Sequence, residues 1–144
     1  MNARNLLMAI GAVALFAAAP AVAQDIEPQK GYKCKSKSLE ANWLIIIGGS
    51  DKPSYCEATV DKSGSINTSA CYEKKTDKII GDLSGKLSIT SRCAISGQVS
   101  INPTSGKGTK TEAELYMDAA ATSFVGTLTA KDDGFVVVQA IRMK

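Results

Sequence analysis

Between Leu83 and Ile101 the chain alternates apolar and polar residues with a period of two. Odd positions carry Leu83, Leu87, Ile89, Cys93, Ile95, Val99 and Ile101, and even positions carry Ser84, Lys86, Ser88, Thr90, Ser96, Gln98 and Ser100. Successive side chains of a strand point to opposite faces, so the stretch predicts a hairpin with one buried and one wet face. Its tip falls near Ser91-Arg92.

The same texture covers most of the chain. It predicts strands at 32–38, 43–48, 55–60, 65–71, 79–90 with a break inside, 93–101, 111–118, 123–130 and 135–142. Turn residues stand at the breaks: Gly48-Gly49-Ser50-Asp51, Asp61-Lys62-Ser63-Gly64, Asn102-Pro103 and Asp132-Asp133-Gly134. The expected fold is all-β, a single antiparallel domain of about eight strands with serial hairpins over 32–144, closed as a barrel or folded as a sandwich. A short echo runs through three strands: Leu83-Ser84-Gly85, Ile95-Ser96-Gly97 and Phe124-Val125-Gly126. Such a glycine permits a bend or the close approach of another backbone.

Residues 1–23 read as a helical secretory signal peptide. Arg4 supplies the positive start, Leu6 to Ala19 the apolar run, and Ala21-Val22-Ala23 the cleavage site before Gln24. The leader implies a bacterial periplasmic or secreted product. Gln24 to Gly31 is expected to be a flexible lead-in, and no later segment is apolar enough to cross a membrane. Removal of Arg4 with the leader lowers 17 basic residues to 16 against 14 acidic ones, a net charge of +2. That balance argues against a nucleic-acid partner, which needs a concentrated basic face.

The chain has four cysteines and no histidine. In an oxidising compartment Cys34, Cys56, Cys71 and Cys93 predict two disulfides. The symmetric spacing favours Cys34–Cys56 with Cys71–Cys93 among the three possible connectivities. Without C-x-x-C spacing or histidine, neither zinc nor another cofactor is expected. The missing imidazole also removes Ser-His-Asp, Cys-His and H-E-x-x-H chemistry. Thr104 to Thr109 looks like a phosphate loop but lacks its first glycine, and reads as a hairpin loop. Only paired carboxylates remain for catalysis: Glu112 and Glu114 on one strand face, or Asp132 and Asp133 in a turn. Both pairs are more simply a solvated strand face and turn formers.

Binding has better candidates. Lys33, Lys35 and Lys37 would project from one face of the first strand about 7 Å apart, able to meet an anionic polysaccharide or guard an exposed edge. Trp43 and Tyr55 are possible platforms for a sugar or partner, although Trp43 leads the apolar run Leu44-Ile45-Ile46-Ile47 and suits a core. The C-terminal segment is apolar on both faces, with Phe135, Val137, Ile141 and Met143 on one side and Val136, Val138 and Ala140 on the other. A central strand buried on both faces explains this most simply. Gly134 followed by alternating apolar residues also resembles the C-terminal strand of chaperone–usher pilins, and the resemblance implies a strand shared with a neighbouring subunit.

The expected function is therefore that of an exported, non-enzymatic β protein that binds a partner or ligand, or assembles, at the bacterial cell envelope, as a monomer rather than a strand-exchanged oligomer. An envelope protein or an anionic polysaccharide is the expected partner. The alternatives are a small secreted glycosidase-like enzyme using Glu112 and Glu114, and an inhibitor of a secreted hydrolase presenting a loop such as Pro53 to Cys56.

Overall fold

The computed structural model describes residues 33–48, 54–132 and 134–144; the leader, the lead-in and the loop 49–53 lie outside the described residues. Eight strands follow in chain order: β1 Ala41–Gly48, β2 Ser54–Val60, β3 Ser65–Glu73, β4 Ile79–Ile89, β5 Ala94–Pro103, β6 Thr109–Met117, β7 Ser123–Ala130 and β8 Gly134–Arg142. Each pairs antiparallel with its sequence neighbour, and β8 returns to pair with β1, closing the sheet as a barrel. The choice between barrel and sandwich is thus decided for the barrel. Closure leaves no strand edge unpaired.

The period-two pattern is the reason for the barrel's dry interior. Trp43, Ile45 and Ile47 point inward from β1, Leu83 and Leu87 from β4, and Ile95 and Val99 from β5; Leu115, Phe124, Leu128 and Val138 come from the last three strands. An eight-stranded barrel is just wide enough for such side chains to fill. Trp43 is wholly buried, and its ring lies 4.8 Å from that of Phe124 at 56°. Gly85 and Gly97 explain the sequence echo. They sit in adjoining strands with φ of 135° and 154°, and a Cβ on either would come within 2.1 Å of a carbonyl oxygen across the pair, that of Gln98 or Lys86. Only glycine permits that approach.

The β3–β4 ladder is interrupted between Ile66 and Cys71. Ser69 fills the gap: its hydroxyl both donates to the Leu83 carbonyl and accepts from the Leu83 amide, each at 2.6 Å. A side chain thereby satisfies backbone groups that the ladder leaves open.

Four expectations need correction. The disulfides are Cys56–Cys71 and Cys34–Cys93, not Cys34–Cys56 and Cys71–Cys93. Hairpin register sets Cys56 directly opposite Cys71, and Cys34 then meets Cys93 at one end of the barrel. A strand was expected at 32–38, and residues 33–38 do not form one. A 3-10 helix covers Ser36–Leu39, and a closed barrel offers no edge for another strand to join. Trp43 is core rather than a platform. Finally, β8 was expected to be buried on both faces; it is flanked by β7 and β1 of its own chain, and only its inward face is buried.

The 3-10 helix closes one mouth of the barrel. Leu39 is only 1 % exposed, and the Trp43 indole N–H donates to its carbonyl at 2.8 Å. The Arg142 guanidinium lies 5.3 Å from the centroid of the Trp43 ring and donates to the Ser38 carbonyl at 2.7 Å. This end also carries the β2–β3, β4–β5 and β6–β7 turns.

Candidate functional site

The outer surface has two unlike walls. On β4, β5 and β6 most outward positions are polar, and Asp82, Lys86, Lys110, Glu112 and Glu114 carry charge; the exposed Ile79 on β4 and Tyr116 on β6 are exceptions. Neighbours satisfy one another there. Gln98 Nε2 donates to Glu112 at 2.9 Å, and Asn102 Nδ2 donates to Asp82 at 2.8 Å and to Ser84 at 3.1 Å.

No outward position of β7, β8 or β1 is charged. They are Ser123, Val125, Thr127 and Thr129; Phe135, Val137, Gln139 and Ile141; and Asn42, Leu44, Ile46 and Gly48. Ile46, Val125, Phe135, Val137 and Ile141 are 43–65 % exposed. Register lines one row across this wall and its shoulders: Tyr116 opposes Val125, Val125 opposes Gln139, Gln139 opposes Ile46, and Ile46 opposes Tyr55. Clustered apolar groups in water are the usual mark of a contact surface. This uncharged wall is the candidate site.

Tyr55 stands on its shoulder. Its ring stacks on Tyr72 at 5.1 Å and 22°, and its hydroxyl donates to Asp77 at 3.0 Å. That bond, then partial burial and the nearby negative charges, holds the phenol above its ordinary value. The bond orients the hydroxyl toward the β3–β4 turn.

At the closed mouth two carboxylates organise turns. Asp61 accepts from the Ser63 amide at 2.8 Å, the Ser63 hydroxyl at 2.7 Å and the Ser65 amide at 3.1 Å. The Ser63 hydroxyl is the chief cause of its lowered pKa. For Asp118, partial burial is the largest influence and acts upward, but bonds from Thr122 and Ser123 together outweigh it and leave the pKa lowered. Both carboxylates hold their turns through these bonds.

Two depressions complete the surface. A cleft of about 260 Å³ opens at the other mouth between Ile101, Lys107, Leu128 and Phe135. A groove of about 400 Å³ crosses β2 and β3 outside the barrel, lined by Asn42, Glu57, Thr59 and Thr68. Glu112 and Glu114 line neither and lie on the convex polar wall. Lys33, Lys35 and Lys37 are exposed beside the plugged mouth. Among the described residues no group of His, Cys, Asp and Glu is placed to hold a metal.

The exposed apolar wall is what sequence reasoning missed. Its signal was present in the two-faced apolar run of β8, where double burial was expected instead, and in the unbroken apolar run Leu44-Ile45-Ile46-Ile47 of β1. Comparison of this chain with protein-family models, with curated proteins and with solved structures gives no match.

Proposed function

We propose that this protein is an exported, non-catalytic binding protein of the cell envelope that works by contact through the outside of its barrel. One observation carries the reading: among the described residues, side chains from Trp43 to Val138 pack the interior as one apolar core. Barrels that carry small molecules keep a chamber inside, so contact here falls to the walls and mouths. The sidedness also opposes a lipid-spanning barrel, whose interior is polar and whose lipid-facing band is apolar all round. Here the interior is apolar and the β4–β6 wall is charged.

The two disulfides are consistent with an extracellular or otherwise oxidising compartment. The sequence leader supports export, and the absence of histidine from the chain supports a non-catalytic role. Glu112 and Glu114 could supply the paired carboxylates of a glycosidase only if a cleft lay between them and a sugar, and they stand on an outward-curving surface.

The test is a hydrolysis screen on envelope glycans and peptides, run beside capture of envelope proteins on the immobilised protein. The expected result is capture without turnover, unchanged in a Glu112→Gln, Glu114→Gln double variant. Turnover abolished by that double variant would establish the enzyme instead.

A further inference from the structure

We propose that the uncharged wall of β7, β8 and β1 is the interface between two copies of this chain. The inference rests on the reading of the barrel as a contact protein, and it names the occupant of one wall.

Area is the first argument. Exposures of 43–65 % for Ile46, Val125, Phe135, Val137 and Ile141 leave on the order of 500 Å² of apolar side chain in water. The threonines, Asn42 and Gln139 between them extend the face to roughly the 800 Å² that each partner of a standard interface covers. A barrel wall curves away on both sides, and on the β6 side an aromatic shoulder compensates. Tyr116, 66 % exposed, flanks the central row there, whereas Tyr55 on β2 is turned toward Tyr72 and Asp77.

Charge is the second argument. A second copy presents the same uncharged wall, so no buried charge is left unpaired when the two faces meet. An anionic lipid surface would draw on lysine or arginine, and the wall has neither. The nearest outward charges, Glu57 on β2 and Glu112 and Glu114 on β6, stand at the rim of the wall, and a self-complementary contact on a two-fold axis closes at two copies rather than growing into a filament.

The third argument is the one polar residue at the centre. Gln139 lies mid-row on β8, exposed, between Val125 and Ile46. A primary amide carries both a donor and an acceptor, so two glutamines related by a two-fold axis lying in the interface pair with each other. An isologous contact of this kind needs no residue from another protein.

Sedimentation of the purified protein with both disulfides formed tests the proposal. A concentration-dependent dimer is expected, with Gln139→Glu weakening it roughly a hundredfold, because two like charges then face each other at the axis. Val137→Lys should weaken it to a similar degree. Both positions are exposed, so circular dichroism and melting should stay those of the parent. Ser100→Glu, on the opposite wall, should leave the dimer intact. A parent protein that stays monomeric at about 100 µM overturns the proposal, as does a dimer indifferent to Gln139→Glu. A monomer that still captures envelope proteins would sink the dimer alone, whereas a dimer that turns over a glycan would sink the binding role alone.

Discussion

The two mouths of the barrel are both rimmed by hairpin turns and end differently. One is stoppered by a 3-10 helix that drives Leu39 inward, ties Cys34 to Cys93 and sets Arg142 over the Trp43 ring. The other has no such plug among the described residues and opens into the cleft beside Phe135 and Lys107. The difference shows where stability is concentrated: in side chains that fill the stoppered end, with the open end left for surface residues that touch little.

The widest gap between the ends should come from truncating one aromatic at each. Trp43→Ala removes a wholly buried ring, its bond to Leu39 and its contact with Phe124, and should destabilise by about 5 kcal/mol. Phe135→Ala at the open end, where the side chain is 65 % exposed, should cost under about 1 kcal/mol. Urea unfolding of the two variants measures both, and comparable losses would erase the contrast.

Removing the disulfides one at a time is the next test. Cys34–Cys93 spans 59 residues and Cys56–Cys71 spans 15. Loop-closure entropy then gives about 4 kcal/mol for the first and about 3 kcal/mol for the second. Serine pairs at each bridge should therefore rank in that order, with Cys34→Ser, Cys93→Ser also loosening the 3-10 helix. A larger loss from the hairpin bridge would mean that the plug adds little.

The smallest effect is a pH asymmetry. Asp61 and Asp118 at the stoppered end have pKa values lowered from 3.8, so their contribution is complete above pH 3.8 and is lost as pH falls through the lower folded values. Tyr55 at the open end is raised above 10.0, so its contribution is complete below pH 10.0 and is lost as pH rises through the folded value. All three groups are largely solvated, and the energies are correspondingly slight. Acid should loosen the β2–β3 and β6–β7 turns first, and alkali the β3–β4 turn. Residue-resolved NMR across the two titrations would show it, and loosening of the same end in both would contradict it.

Much of the architecture was legible because period two is a local property. The strand predicted at 123–130 coincides with β7, and the tip predicted at Ser91-Arg92 lies in the β4–β5 turn. The first predicted strand, at 32–38, failed for a reason outside its own residues: a closed barrel has no edge to accept it, and Leu39 is held in the mouth instead.

The sequence by itself determined which side chains of each strand share a face, because alternation is written residue by residue. It also determined that four cysteines would be paired and that no histidine chemistry would be available. It could not determine which cysteines meet, since Cys34 and Cys93, separated by 59 residues, come together only at the mouth of the closed barrel. Nor could it determine which apolar face is water's. Val137 and Val138 are adjacent, alike and on opposite faces of β8, yet 47 % and 2 % exposed. Only the curvature of a closed sheet, which makes one face a core and the other a surface, tells them apart.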